Sequence, residues 1–173
     1  MHQMRRLRQL SCGVVDAAVA VQLMLNLGEP QSSGIGGGAF LLHWDAKDRT
    51  LTTLDGRETA PQAAGPDLFL QPDGKPMKFL DAVIGGRSVG VPGTLKLLEA
   101  AHKRWGRLPW AELLQPTIEA AEAGFPVSPR LHQVIAETKD SGLDRFEPTR
   151  SYFLTAEGTP KPVGTTLRNP ELA

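Results

Sequence analysis

The stretch Gln31-Ser32-Ser33-Gly34-Ile35-Gly36-Gly37-Gly38 places four glycines within five residues, between two apolar segments. The segment before it, 14–27, is apolar at nearly every position, and the run after it, 39–44, has the composition of a strand. Glycine costs about 0.5–1 kcal/mol per position relative to alanine in regular structure. The cluster therefore predicts positive φ angles, or a close approach by another backbone or by a ligand. We expect a turn that shapes a site.

The segments on both sides of this turn predict a helix followed by an antiparallel hairpin. Only three positions within 14–27 are polar, which is typical of a helix that is buried on most sides. The runs 39–44 and 50–54 are separated by Asp-Ala-Lys-Asp-Arg at 45–49, which has the chemistry of a hairpin loop. Two antiparallel strands are the natural outcome.

The middle of the chain contains an irregular segment followed by a segment with helical periodicity. Residues 55–93 hold many prolines and glycines and predict an ordered but irregular surface segment. Apolar residues then recur at helical spacing over 95–105 and 110–121, with Gly106 and Gly124 at the positions of C-terminal caps. The sequence therefore predicts two successive helices.

The last third of the chain predicts one more helix and then a segment rich in turns. Ser128 and Pro129 supply an N-cap and a first-turn proline for a helix that continues to about Thr138. Over 142–173 turn residues dominate and no periodic pattern lasts. The final residues, 169–173, resemble the start of another helix, so we expect the natural protein to continue.

Composition limits the classes of function. With 173 residues, 40% of them hydrophobic, the chain could hold one sizeable core, and eighteen glycines with fourteen prolines exclude a plain helical bundle. Nineteen basic residues balance nineteen acidic ones, which argues against nucleic acid as a partner. The single cysteine, Cys12, excludes an internal disulfide and any multi-cysteine metal site, and we interpret it as a buried or incidental thiol.

The beginning of the chain superficially resembles a signal peptide. Basic residues at 5–8 precede an apolar segment at 14–25. However, Asp16 and Gln22 interrupt that segment, no small-x-small cleavage site follows, and the run is shorter than the roughly 20 residues that span a bilayer. We therefore predict no signal peptide and no membrane span in this chain.

Two glycine motifs allow a catalytic or cofactor hypothesis besides a structural one. Gly34-x-Gly36-x-x-Ala39 matches a relaxed dinucleotide fingerprint, but a strand should precede that motif and a helix should follow it, and here the order is reversed. We favour a structural turn whose exposed amides could still bind an anion. No nucleotide or other cofactor is predicted.

The second motif, Gly-Arg-Ser-Val-Gly at 86–90, fits the turn that presents Ser88 as a hydrolase nucleophile. Pro92 and Gly93 break the chain where the helix of such an elbow should run, so we favour an ordinary turn. The possible triad partners downstream are His102, His132, Asp140 and Asp144.

Arg57 is the candidate binding residue, because it follows the second predicted strand directly. Its planar guanidinium can form a bidentate pair of hydrogen bonds with a carboxylate, which suits recognition of an amino-acid head group. From composition alone, a surface ion pair with Glu58 or Asp55 is the simpler interpretation. His43, at the end of the first strand, has no second histidine at metal-ligand spacing, so we expect packing rather than a metal site.

Five blocks of the sequence together resemble the γ-glutamyltranspeptidase (glutathione hydrolase) family. They occur in the family's order over roughly residues 10–173, which makes the set far more specific than any one motif. The blocks are 15–20 (Val-Asp-Ala-Ala-Val-Ala), 29–40 (Glu-Pro-Gln-Ser-Ser-Gly-Ile-Gly-Gly-Gly-Ala-Phe), 55–61 (Asp-Gly-Arg-Glu-Thr-Ala-Pro), 88–93 (Ser-Val-Gly-Val-Pro-Gly) and 124–128 (Gly-Phe-Pro-Val-Ser).

This resemblance implies an N-terminal-nucleophile hydrolase fold, in which two antiparallel sheets lie between layers of helices. We therefore expect an α+β protein, a partial αββα sandwich with helices, an antiparallel hairpin and an incomplete core. Residues 1–173 would form a single incomplete domain, the front part of the family's large subunit, with a turn-rich segment at 142–173. An incomplete sheet exposes edges and apolar faces, so we expect poor stability or aggregation of the chain alone.

The resemblance also implies a reaction and a role for Arg57. Family members cleave γ-glutamyl compounds such as glutathione through a threonine that begins the small subunit and forms a γ-glutamyl ester. No catalytic residue in this chain matches the Thr-Thr-His stretch that carries it, so the small subunit is an expected partner and this chain alone is expected to be inactive. Arg57 aligns with the arginine that holds the α-carboxylate of the γ-glutamyl group. The full-length family is expected in the periplasm or outside the cell.

Two alternatives stay open at this point. The chain could belong to another branch of the family, an acylase or a polyglutamate-cleaving transpeptidase, because these share the same blocks. It could also be a non-catalytic binding or interaction module that has kept the shell and lost the chemistry.

Overall fold

A computed structural model describes residues 12–173, and the basic cluster at 5–8 lies outside the described residues. The predicted α+β class is confirmed, since helices and short antiparallel sheets follow one another along the chain. The helices are α1 Val14–Gly28, α2 Phe79–Val83, α3 Thr94–Trp105, α4 Trp110–Ala123, α5 Pro129–Thr138 and α6 Glu147–Phe153, with 3-10 turns at Gly86–Ser88 and Lys139–Ser141. The strands are β1 Ala39–Asp45, β2 Thr50–Gly56, β3 Phe125–Pro126 and β4 Thr166–Leu167.

The hairpin of β1 and β2 forms as predicted. Its register pairs Phe40 with Asp55 and Trp44 with Leu51. The connecting loop is closed by the side chain of Asp45, which accepts the backbone amide of Lys47 at 2.8 Å. A carboxylate that bonds an amide two residues ahead is the turn chemistry expected of aspartate, so the loop sequence and the register agree.

The main core joins α1, α3 and α4 to one face of the hairpin. Each helix contributes residues at helical spacing, and Leu41 and Leu54 of the hairpin pack against them. Burying each of the larger side chains stabilises the fold by about 1.5–3 kcal/mol, so this cluster dominates its packing energy. The buried members are Val15, Val19, Leu23, Leu97, Leu98, Ala101 and Leu113.

The opposite faces of the same elements are apolar and open. On the outer face of the hairpin Phe40, Leu42 and Trp44 are 63%, 68% and 57% exposed. The expectation that α1 is buried on most sides is wrong within the described chain, because Val14 and Leu25 lie on an exposed face. Apolar surfaces on both sides of one sheet are typical of a strand pair that lies inside a larger structure.

A fully buried carboxylate ties the start of α1 to the loop between α3 and α4. Asp16 accepts the backbone amide of Gly13 at 2.8 Å and that of Arg107 at 3.0 Å. The ring of His102 lies 4.0 Å from the same carboxylate and is hydrogen-bonded to the carbonyl of Leu108 at 2.8 Å. These contacts fix the helix layer beneath the hairpin.

A second, smaller core includes the turn-rich end of the chain. Helix α5 begins as predicted, with the Ser128 hydroxyl accepting the amide of Leu131 at 3.0 Å. Helix α6 lies within the segment for which no lasting pattern was predicted, because seven residues are too few to show an apolar period. The buried members of this core are Val127, Leu131, Ile135, Leu154 and Leu167.

The predicted ends of α3 and α4 are confirmed. Gly106 caps α3 and donates its amide to the carbonyl of His102 at 2.7 Å, while Gly124 caps α4 with φ at 95°. A positive φ of this size favours glycine. None of the helices within residues 12–173 combines the length and the apolar character needed to cross a membrane.

The open face of the hairpin generates a prediction about solubility. We expect the isolated chain to self-associate through Leu42 and Trp44, and we expect the double substitution Leu42→Lys and Trp44→Lys to raise its monomeric fraction severalfold, because lysine on an open sheet face opposes association. Light scattering after gel filtration measures the change. A wild-type chain that elutes as a soluble monomer and unfolds cooperatively would contradict the expectation.

The buried carboxylate generates a second prediction. We expect Asp16→Ala to lower the free energy of unfolding by about 2–5 kcal/mol, because the backbone amides of Gly13, Arg107 and Leu108 lose their acceptor. Urea unfolding of the double-lysine variant measures it by fluorescence, since Trp105 and Trp110, which flank the Asp16-bound loop, are its two remaining tryptophans. The matched control is Asp48→Ala, an exposed position in the hairpin loop. An equal effect of the two substitutions would show that Asp16 is not a structural centre.

Candidate functional site

The glycine turn at 31–38 joins α1 to β1 and is crossed by a second stretch of backbone. The carbonyl of Gly37 accepts the amides of Gly93 at 3.0 Å and Thr94 at 3.1 Å. The predicted close approach of another backbone is therefore confirmed. The alternative, positive φ angles, is wrong for the four glycines at 34–38, since none of them has one. Of the four, only Gly38 lies where a side chain would collide with a neighbour, and that neighbour is Glu58.

Glu58 lies in a narrow space lined by two glycines of these crossing segments. A Cβ atom on Gly38 would lie 2.5 Å from Oε2 of Glu58, and one on Gly90 would lie 2.9 Å from the Glu58 Cβ. An isolated β-bridge between Thr59 and Val91 holds the segment of Glu58 against the segment of Gly90. We call this space, bounded by Gly38 and Gly90, the glycine slot.

Arg57 extends from the end of β2 beside this slot, and its side chain is 63% exposed. Its backbone amide donates to Oδ1 of Asp55 at 2.9 Å. Its Nε lies 3.5 Å from Oε2 of Glu58, and its Cζ lies 6.0 Å from the centroid of the Phe40 ring. The ion pair that composition alone predicted is thus present, and it leaves the guanidinium accessible.

This arrangement can bind a carboxylate. Among the described residues, none accepts a hydrogen bond from the Arg57 guanidinium, whereas its planar fork matches the geometry of a carboxylate. The oxygen of Glu58 nearest to it, Oε2, is buried and accepts no hydrogen bond within residues 12–173. The candidate site therefore consists of the accessible guanidinium of Arg57 and the carboxylate of Glu58 beside it.

The residues suggested for serine catalysis do not come together. The Ser88 hydroxyl donates to the carbonyl of Val83 at 2.7 Å, on an exposed 3-10 turn. His102 is bonded to the carbonyl of Leu108, and His132 to that of Lys161 at 2.9 Å. The motif at 86–90 is thus a structural turn, as favoured from the sequence.

The other candidates also have structural surroundings. His43 stacks on Trp105 with ring centroids 4.0 Å apart, which agrees with packing. Its neighbour Trp44 lies on the outer face of the hairpin and is exposed. Burial, and then the nearby carboxylate of Asp16, raise the pKa of the Cys12 thiol, which keeps it protonated and weakly nucleophilic.

Sequence reasoning missed Phe40 as part of the site. The sequence places Phe40 in a strand and at the end of the block 29–40, whereas its contact with Arg57 depends on the register of the hairpin. Phe40 pairs with Asp55, which precedes Arg57 by two residues. The ring of Phe40 therefore lies across from the end of β2. The register of a short hairpin with a known loop could have indicated this neighbour.

Helices packed on one face of an antiparallel hairpin define an α+β protein, and the accessible guanidinium of Arg57 at a strand end is its candidate anion site. The family model described as gamma-glutamyltranspeptidase matches residues 8–173. The chain belongs to the γ-glutamyltranspeptidase family. The expected fold, part of an N-terminal-nucleophile hydrolase, is confirmed by the solved structures of that family that it matches.

Individual relatives agree with this membership. The glutathione hydrolase proenzyme of Bacillus subtilis (strain 168) is 43% identical over 159 residues, which are 92% of this chain and 27% of that protein. The crystal structure of Helicobacter pylori γ-glutamyltranspeptidase matches 97% of this chain and 47% of its own with a TM-score of 0.87 and 28% identity. The Pseudomonas nitroreducens γ-glutamyltranspeptidase complexed with L-DON matches 97% and 48%, with a TM-score of 0.84 and 34% identity. The chain thus spans about a quarter of the length of the curated relatives that it matches.

Proposed function

We propose that this chain supplies the carboxylate-binding part of an enzyme that cleaves γ-glutamyl amides such as glutathione. The observation that carries the proposal is the exposed fork of Arg57, in the block 55–61 that resembles the family's binding arginine. In this proposal Arg57 pairs with the α-carboxylate of the γ-glutamyl group. The pairing places the γ-carbonyl at a fixed distance from the fork, where a nucleophile can reach it.

The proposed nucleophile is a threonine that begins the small subunit and lies outside this chain. Its hydroxyl oxygen attacks the γ-carbonyl carbon while its own α-amino group takes the proton. The amide C–N bond then breaks, the amine leaves with that proton, and a γ-glutamyl ester remains. Water hydrolyses the ester, or an acceptor amine takes the γ-glutamyl group. Neither Ser88 nor Cys12 is activated for this role, so the chain alone is expected to be inactive.

The proposed partner, the remainder of the enzyme with its small subunit, agrees with the open apolar faces of the hairpin and α1. Phe40, Leu42 and Trp44 offer an outward surface of the kind that a second sheet covers. We also propose that the complete protein acts in the periplasm or outside the cell, as in the full-length family. Fractionation of cells that express the complete gene tests this location, and activity confined to the cytoplasm would contradict it.

The central test uses a chimera in which this chain replaces the matching segment of the Bacillus subtilis proenzyme. We expect Arg57→Ala to raise KM for a γ-glutamyl donor about 100-fold, because two charge-assisted hydrogen bonds of about 1.5 kcal/mol each are lost. Arg57→Lys keeps the charge without the fork and is expected to raise KM about tenfold. Steady-state kinetics with a chromogenic γ-glutamyl anilide measure both.

The matched control is Ser88→Ala, whose kinetics should stay within about twofold of the unsubstituted chimera. An unchanged KM in Arg57→Ala would show that Arg57 does not bind the α-carboxylate of the donor. A chimera that matures but acts only on acyl amides without an α-carboxylate would favour the acylase branch. A chimera that folds, matures and stays inactive on every donor would favour the non-catalytic module.

A further inference from the structure

We propose that Phe40 and Glu58 form a clamp that holds the guanidinium of Arg57 in the orientation that binds substrate, and that Gly38 and Gly90 exist to seat Glu58. The two side chains are positioning residues, since they act through Arg57 and not on the substrate. The inference rests on the proposed function and adds to it the residues that set the specificity of the fork for a planar carboxylate.

The need for a clamp follows from the exposure of Arg57. A long arginine side chain that is 63% exposed samples many rotamers, and each substrate molecule must then order it on binding. Fixing the side chain beforehand removes that cost and tightens binding without any new contact to the substrate. The relevant contacts must therefore hold the guanidinium and still leave its outer edge free.

The position of Glu58 satisfies this condition. Its Oε2 lies 3.5 Å from Nε, the inner nitrogen of the guanidinium. A carboxylate at that nitrogen leaves the outer edge, with its two terminal nitrogens, available for a second carboxylate in the two-to-two geometry. The contact thus orders Arg57 from the side opposite to the proposed substrate.

The glycine slot explains why Glu58 keeps this position. A Cβ on Gly38 would overlap its carboxylate, at 2.5 Å from Oε2 and 2.8 Å from Cδ, and a Cβ on Gly90 would press on its own Cβ at 2.9 Å. The Oε2 atom is buried, although about a third of the side chain is exposed. Glycine at both positions therefore leaves the space that Glu58 occupies beside Arg57, and a side chain at either position would displace it.

Phe40 supports the guanidinium from another direction. Its ring centroid lies 6.0 Å from Cζ of Arg57, at the outer limit of a cation–π contact. The register of β1 against β2 fixes the backbone of Phe40 opposite Asp55, whose carboxylate holds the Arg57 amide. The ring therefore restricts the fork without offering it a competing acceptor.

The test is a double-mutant cycle in the chimera, with KM and kcat for a γ-glutamyl anilide as readouts. We expect Phe40→Leu and Glu58→Gln each to raise KM about two- to fivefold with kcat changed by less than about twofold. In the Arg57→Ala background the same substitutions should change KM by less than about 1.5-fold, because the group through which they act is gone. Phe40→Tyr keeps the ring and should stay within about twofold of the unsubstituted chimera.

The controls separate this proposal from simpler ones. Leu42→Met alters the same exposed face two residues away and should leave KM unchanged, and thermal unfolding of every variant detects a general loss of stability. Effects of Phe40→Leu or Glu58→Gln that persist in the Arg57→Ala background would assign those residues to direct substrate contact or to folding, and would overturn the clamp. A lower KM in Glu58→Gln would show that its charge only weakens Arg57, and would also overturn it.

Failure of the proposed function has a different signature. If the unsubstituted chimera has no γ-glutamyl activity, or if Arg57→Ala leaves KM unchanged, the proposed role of Arg57 as carboxylate anchor is wrong. If the chimera is active and Arg57→Ala raises KM strongly, while Phe40→Leu and Glu58→Gln leave KM unchanged, Arg57 is still the carboxylate anchor. Only the proposal of the clamp is then wrong.

Discussion

The buried carboxylate of Asp16 is hydrogen-bonded to two parts of the fold that lie far apart in the sequence. An ionised carboxylate out of water is unfavourable by several kcal/mol unless hydrogen bonds replace its hydration. Here the replacement comes from backbone amides of two distant segments, Gly13 at the start of α1 and Arg107 after α3. Both segments must be in place together for the carboxylate to be satisfied. The contact therefore couples α1 to the α3–α4 loop across 91 residues of sequence.

The position of the candidate site follows from this coupling through the backbone. Helix α3 begins at Thr94, whose amide bonds to Gly37 of the glycine turn, so the fixed helix layer also fixes that turn. The end of β2 passes so close to the same crossing that a Cβ on Gly93 would overlap the carbonyl of Gly56. Arg57 follows Gly56 directly. Its place in the molecule is thus set by three converging backbones and not by the packing of its own side chain.

The sequence predicted the parts of the fold that local chemistry determines. The loop at 45–49, the N-cap Ser128 and the caps Gly106 and Gly124 each act within a few residues, and each was found where it was predicted. Prediction failed where a distant contact decides. The glycine turn bonds to a backbone far along the chain, at Gly93 and Thr94, and the exposure of α1 depends on which surfaces the described chain covers.

The candidate site also contains groups that the sequence predicts and groups that only the fold reveals. Arg57 could be predicted because a strand end, a planar cation and a family block coincide in one short segment. Phe40 could be predicted only through the register that the hairpin loop sets, and the glycine slot could not be predicted, because it forms only when residues 88–93 have crossed the glycine turn. A short block carries the identity of the proposed binding residue, whereas the groups proposed to orient it are spread over segments that the fold brings together.

In the proposed enzyme, recognition of the substrate and the chemistry of its cleavage lie on different parts of the sequence. A carboxylate anchor binds a group that does not change during the reaction, so its energy acts equally on the bound substrate and on the transition state. Such an anchor raises kcat only if it also fixes the distance from the fork to the γ-carbonyl, since misplacement by about 1 Å is enough to reduce the rate about 100-fold. A mobile Arg57 instead weakens binding, because each substrate molecule must order the side chain when it binds. The close seat of Glu58 between Gly38 and Gly90 is therefore best understood as ordering Arg57 in advance, which lowers KM and leaves kcat to the groups that perform the chemistry.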